Sequence, residues 1–164
     1  PAATTSPGVP TAASALKTLS RFPVSIYAGK GAVFFACELM KRLTVPVTMD
    51  FCKCSSYGSG TVSSGNVNLE DDLGEDIEGR HVLVIEDIVD TGRTLSFMMD
   101  LLGKRGPASL KLCTLLNKPS RRVIDSLNVD YNGFTIDDLF VVGYGLDYDQ
   151  RYRNLPYVGV LEFN

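Results

Sequence analysis

The chain has 164 residues, 45% hydrophobic and 21% charged, enough for one globular domain with a real core. A net charge of -3 argues against a general nucleic-acid binder, which would carry a basic surface, and no apolar run reaches the ~20 residues a membrane helix needs. The four cysteines (Cys37, Cys52, Cys54, Cys113) have no zinc spacing and a single histidine for company, so a reducing, cytoplasmic setting is expected, with three of them as core filler.

In chain order, residues 1–23 are rich in Pro, Ala, Thr and Ser and lack the charged start and apolar centre of a signal peptide; a divergent or flexible arm is expected. The remainder, 24–164, reads as one domain. Val24 to Ala28 is a short buried strand. The turn Gly29-Lys30-Gly31-Ala32 leads into a helix with Val33, Phe34, Leu39, Met40 and Leu43 on or near its apolar face. Strand, Gly-rich turn and helix make a phosphate-friendly loop, although the Walker spacing is absent. Val45 to Cys54 is a further strand, and the small, polar, Gly-rich stretch at about 55–66 is long for a hairpin tip. Asn66 to Leu69 reads as its returning strand, Glu70 to Glu78 as a solvated connection. His81, the single histidine, is expected at a strand start with no chemical role.

Val82 to Leu95 carries the strongest signal. The apolar run Val82 to Ile85 suits a strand buried on both faces. Glu86, Asp87 and Asp90 follow in what reads as an acidic turn, then Thr91, Gly92 and Thr94, then Leu95, Met98, Met99 and Leu102 at helical spacing. In an open α/β sheet such a turn sits where ligands bind, beyond the strand's carboxyl end. The free N–H groups of the new helix, its dipole and the Thr hydroxyls suit a phosphate. A helix cap would explain Asp90 or Thr91, but not two carboxylates closing a buried strand. Ser109 to Leu116 is the next strand, ending in Asn117-Lys118-Pro119-Ser120-Arg121-Arg122, where Lys118 could donate to a carbonyl of a bound base. Val129 to Thr135, Leu139 to Val142 and Tyr157 to Phe163 complete the strands.

Val-Ile-Glu-Asp-Ile-Val-Asp-Thr-Gly-Arg-Thr resembles the phosphoribosyl-pyrophosphate motif of type I phosphoribosyltransferases, in the form used by the hypoxanthine-guanine branch. Phe-Val-Val-Gly-Tyr-Gly-Leu-Asp-Tyr resembles a second family segment, and Gly-Lys-Gly its pyrophosphate loop, where Leu-Lys-Gly is usual. The resemblance spans about Val24 to Leu161. It implies a twisted, mostly parallel sheet flanked by helices, with a small hood from about 117 to 164 whose usual N-terminal part is shortened or replaced. It implies transfer of ribose 5-phosphate from phosphoribosyl pyrophosphate to a 6-oxopurine, with Mg2+. Asp90 would be the general acid or base; Glu86, Asp87, Asp90, Thr91, Gly92, Arg93 and Thr94 would hold the ribose and 5-phosphate. Lys30, Gly31 and Arg153 would hold pyrophosphate, with Arg122 a weaker candidate. Ser56 and Tyr57 would lie in a closing lid. Lys118, Phe140, Val141 and Asp147 would meet the purine, and Glu86, Asp87 and Asp147 the metal. The pyrophosphate loop would carry a cis peptide at Gly29–Lys30. A homodimer or homotetramer is implied, with no nucleic-acid or membrane partner. Two alternatives stay open: a transferase for xanthine or a pyrimidine, and a non-catalytic regulator that binds phosphoribosyl pyrophosphate or nucleotide.

Overall fold

The computed structural model describes residues 24–51, 53–56, 67–71 and 74–162; the expected N-terminal arm, Tyr57 and most of the expected lid lie outside them. The chain runs β1 (Val24–Ala28), α1 (Val33–Met40), β2 (Val47–Phe51), β3 (Lys53–Ser56), β4 (Val67–Asp71), β5 (His81–Val89), α2 (Arg93–Gly103), β6 (Ser109–Asn117), β7 (Tyr131–Thr135), β8 (Val141–Val142) and β9 (Gly159–Val160). Five strands form one parallel sheet in the order β2-β1-β5-β6-β7.

The sheet is covered on both faces, as parallel sheets require. Successive side chains of β5 point to opposite sides. Leu83 and Ile85 pack with Ala36 and Leu39 of α1, whereas Val82 and Val84 pack with Leu95, Met98 and Leu102 of α2 and with Leu112. The central strand therefore feeds two separate apolar clusters. Its uninterrupted Val-Leu-Val-Ile run is the consequence.

Several expectations need correction. β5 does not end at Ile85; Glu86 and Asp87 lie within it, because pairing with β6 continues through Glu86↔Thr114, Ile88↔Leu116 and Val89↔Asn117. That ladder satisfies the backbone past the apolar run. The single strand expected over 45–54 is two, β2 in the main sheet and β3 antiparallel to β4 in a separate ribbon. Phe34 does not lie on the buried face of α1. The buried stripe is Ala32, Ala36 and Leu39, and Phe34 turns outward with its ring 5.9 Å from that of Tyr144. The connection before β5 is not wholly solvated, since Ile77 is fully buried beneath α2's cluster. His81 meets Ser109 Oγ at 2.8 Å at the strand start, as a structural histidine would. The strand expected over Leu139 to Val142 is only the two residues of β8, paired with β9.

Of the cysteines expected as core filler, Cys37 is exposed and Cys113 is buried. Burial pushes the Cys113 thiol up to about 12. At pH 8 that leaves roughly one molecule in 10⁴ as the reactive thiolate. Iodoacetamide at pH 8 should therefore alkylate Cys37 and spare Cys113 until the protein is unfolded. Peptide mapping by mass spectrometry checks this, and equal labelling of the two in the folded protein would contradict the burial.

Candidate active site

The sheet winds outward in two directions from its middle. β2 lies beyond β1 on one side, β6 and β7 beyond β5 on the other. Loops leaving the carboxyl ends of β1 and β5 therefore diverge, and a crevice opens between them. The loop at 29–32 forms one wall and the turn at 90–92 another.

The turn after β5 encloses a cavity of about 180 Å³ lined by Glu86, Asp90, Thr91, Gly92, Arg93 and Thr94, among others. Gly92 caps α2 with φ 81°, a left-handed conformation that glycine adopts without penalty. A Cβ there would also come within 3.0 Å of Arg122 Cδ and Leu127 Cδ2. The first N–H groups of a helix lie outside its own hydrogen-bond ladder, and Thr91 and Thr94 line the cavity, an arrangement whose chemistry suits an anion. Arg122 backs the turn. Its terminal nitrogens donate to Asn117 Oδ1 and the Leu127 carbonyl, while its Nε is buried with no partner.

The two strand carboxylates sit directly beneath the first loop. Glu86 faces Gly29, where an added Cβ would lie 3.3 Å from Oε2. Asp87 faces Gly31 far more tightly: a Cβ there would stand 1.8 Å from Oδ2. Burial pushes the Asp87 carboxyl above the ordinary carboxylate range, and the neighbouring Asp147 pushes the same way. A hydrogen bond from the Ile88 N–H at 2.9 Å and the charge of Arg153 oppose that shift. The expected cis peptide is absent: every described peptide bond, Gly29–Lys30 included, is trans. Lys30 is exposed, its Nζ 3.5 Å from Gln150 Oε1.

A third loop, 143–153, closes over this end. Its backbone is left-handed at Gly143, Tyr144, Gly145, Asp149, Gln150 and Tyr152, and non-glycine residues in that region cost about 1–3 kcal/mol each. Such strain persists where neighbours over-determine it, and here they do. Arg153 donates to the Gly145 carbonyl and meets Asp147 Oδ1, both at 2.6 Å, and Asp147 Oδ2 accepts from the Gln150 N–H at 2.9 Å. A Cβ on Gly145 would fall 1.9 Å from the Gly31 carbonyl oxygen. Gly145, Gly31 and Asp87 are thus stacked with no slack. Among the described residues no three His, Cys, Asp or Glu side chains converge on one point, so Glu86, Asp87 and Asp147 do not by themselves form a metal cage.

On the other side of the turn, the Lys118 N–H donates to the Val89 carbonyl at 2.9 Å, which holds the end of β6 against Asp90. The Lys118 side chain is only 8% exposed, with Nζ 3.7 Å from Asp138 Oδ1. Arg121 Nε lies 3.2 Å from Asp90 Oδ1 and 3.6 Å from Asp138 Oδ1. Asp90 and Lys118 therefore face one cleft, joined by a chain of four charges. Phe140 is 45% exposed, which excludes a strand-core role, and Tyr148 meets its ring edge-on at 5.6 Å. Val141 begins β8 beside it, and Ser56 ends β3. Sequence reasoning gave Arg121, Asp138 and Tyr148 no part. Each adjoins a residue that was singled out, but their convergence depends on how β6 and the 137–141 segment come together.

Residues 29–149 match the phosphoribosyl transferase domain model, and the chain belongs to that family. Within it the resemblance is to the hypoxanthine-guanine members. The chain is 51% identical over 141 residues to the hypoxanthine-guanine phosphoribosyltransferase of Bacillus subtilis (strain 168), covering 86% of this chain and 78% of that protein. It is 53% identical over 142 residues to the bifunctional protein TilS/HprT of Listeria monocytogenes serotype 4b (strain F2365); the match takes in 87% of this chain but spans only 22% of that longer protein. A solved hypoxanthine phosphoribosyltransferase from Staphylococcus aureus superposes with a TM-score of 0.87 at 45% identity, covering 92% of this chain and 82% of that one.

Proposed function

We propose that the chain is a purine-salvage enzyme that moves ribose 5-phosphate from phosphoribosyl pyrophosphate to N9 of hypoxanthine or guanine, with xanthine a further candidate. The observation that carries this reading is the shared cleft: a carboxylate, Asp90, and a buried ammonium, Lys118, flank a turn built for a phosphate. A sugar phosphate in the turn places a flat ring between them, with Phe140 exposed to stack on it and the Val141 backbone at its edge.

The reaction breaks the bond from the ribose anomeric carbon to pyrophosphate and forms the bond to N9. Positive charge spreads over the ribose ring as the leaving group departs. Glu86 and Asp87 hold the ribose hydroxyls and stabilise that charge from a fixed position, which is where preorganised electrostatics help most. Asp90 takes the proton from N7 of the purine. Lys118 donates to the 6-oxo group. Thr91 to Thr94 hold the 5-phosphate, and Lys30, Gly31 and Arg153 the pyrophosphate. Ser56 and Tyr57 belong to a lid that excludes water from the reactive sugar.

Magnesium, when bound, neutralises and orients the departing pyrophosphate. The residues suit an ion shared with substrate oxygens. Asp87 is a buried carboxyl raised by desolvation, and Asp147 adjoins it, but the protein alone offers no full cage. Free thiols at Cys37 and Cys113 suit a cytoplasmic setting. Family resemblance supports a homodimer or homotetramer. Among the described residues no helix is long and apolar enough to cross a membrane.

The test is an assay of hypoxanthine, guanine, xanthine and uracil with phosphoribosyl pyrophosphate, with and without magnesium. Turnover of the first two, dependent on the ion, is expected. Phosphoribosyl pyrophosphate binding without turnover of any base would assign the chain to the regulators instead. Lys118→Ala should raise the purine KM by about 10- to 100-fold, the worth of a charged hydrogen bond, and move the phosphoribosyl pyrophosphate KM less than about twofold. Equal losses for both would remove Lys118 from the base site.

A further inference from the structure

Asp138 stands between two cations. Its Oδ1 lies 3.7 Å from the Lys118 ammonium and 3.6 Å from Arg121 Nε. That same Nε donates to Asp90 Oδ1 at 3.2 Å. A guanidinium Nε carries one hydrogen, so Asp90 and Asp138 compete for it. The competition is close. Arg121, Asp90 and Asp138 are all about half exposed, so water screens each pairing and the exchange between them costs little. Lys118 differs in being buried, but its counter-charge is half exposed and 3.7 Å away, beyond hydrogen-bond length, so an acceptor that approaches the ammonium more closely can displace it.

We propose that Arg121 is a positioning residue that couples recognition of the purine's 6-oxo group to release of the Asp90 carboxylate. The proposal rests on the function argued above. Without a base, Asp138 faces Lys118, and Arg121 donates to Asp90. A 6-carbonyl accepting from Lys118 draws that ammonium off Asp138. Asp138 then takes the Arg121 N–H, which needs to travel only a few tenths of an ångström closer. Asp90 regains its oxygen for the N7 proton. No bond is made or broken in this exchange; two ion pairs trade partners. A ring bearing an amino group at that position offers Lys118 no acceptor there, so it leaves Arg121 on Asp90. Discrimination therefore enters the chemical step as well as binding.

The experiment is single-turnover and steady-state kinetics with hypoxanthine on wild type, Asp138→Asn, Arg121→Met, the double variant and Asp138→Glu. Asp138→Asn leaves Arg121 on Asp90, so the single-turnover rate should fall about tenfold, part of what a positioned acid–base group supplies. Adding Arg121→Met should return the rate to within about twofold of the Arg121→Met single variant, a coupling that independent sites do not show. Lys118 keeps its access to the 6-oxo group without Asp138, so the purine KM of Asp138→Asn should not rise, and Asp138→Glu should restore the rate. Arg121 and Asp138 are both exposed, so the variants are expected to fold, and unchanged phosphoribosyl pyrophosphate binding verifies it. An unchanged rate in Asp138→Asn, or rate losses that simply multiply in the double variant, would overturn the relay. Wild-type protein that transfers no 6-oxopurine would overturn the proposed function instead, so the two failures are distinct.

Discussion

Replacing Asp90 with Asn lowers the rate of purine transfer by about 10²- to 10³-fold, within the range a positioned acid–base group contributes, while phosphoribosyl pyrophosphate binding stays within about twofold. The asymmetry follows from position. Asp90 lies at the mouth of the turn, half exposed, and pairs with the side chain of Arg121. Asn preserves size and hydrogen bonding but cannot accept a proton as carboxylate does. The lost pairing with Arg121 is an exposed ion pair, worth at most about 1 kcal/mol, so the fold is untouched. Stopped-flow or quench measurement of single turnovers, beside equilibrium binding of phosphoribosyl pyrophosphate, separates the two effects. An unchanged rate would remove Asp90 from proton transfer.

Replacing Gly31 with Ala is expected to do the reverse. A Cβ at that position would stand 1.8 Å from Asp87 Oδ2 and 2.8 Å from its Cγ, so one or the other must move. Neither can move freely. Asp87 is anchored on a central strand and bonded to the Ile88 N–H, and the Gly31 carbonyl lies where Gly145 leaves no space. The loop must lift away from the sheet, carrying Lys30 with it. Phosphoribosyl pyrophosphate affinity should fall by about 10- to 100-fold, since overpacking of a closely packed site costs about 1–3 kcal/mol. Isothermal titration with phosphoribosyl pyrophosphate and magnesium gives the affinity directly. Ala32, the next residue, is buried in the cluster beneath α1, so a fall of several degrees in thermal unfolding should accompany the loss. A normal affinity would show that the loop has room the structure does not provide.

These two positions mark how far a linear reading reaches. The fold class was legible because Val82 to Ile85 is apolar on both strand faces, which only a covered parallel sheet explains. The strand–turn–helix order at the candidate site was legible because an apolar run, Thr-Gly-Arg-Thr and a helical period follow one another closely in the chain. Local signals of this kind survive in one dimension. The extension of β5 through its acids was not legible, because hydrogen bonds to β6, more than 25 positions away, hold two carboxylates in a strand that propensity would end. The contact of Gly31 with Asp87 was equally hidden: the glycine suggested a turn, but what its missing side chain makes room for comes from another strand. Phe34 misled for a simpler reason. Both it and Phe35 fit a loose apolar stripe, and only the tight approach of Ala32 and Ala36 to the sheet decides which ring turns outward. Arg121 and Asp138 carried no local signal, since surface arginines and aspartates are common and their meeting is tertiary.

The direction in which the strands wind has one more consequence. On the proposed function, the turns after β1 and β5, with Arg153, would serve the sugar phosphate, whereas the base would meet the end of β6 and the segment leading into β8. The two halves are thus separately inheritable. Changes at 118–120 and 139–141 can retune which ring is accepted while Arg121 and Asp138 keep their pairing beside Asp90. An engineering effort aimed at unnatural nucleobases should randomise those six positions and leave the central turns alone.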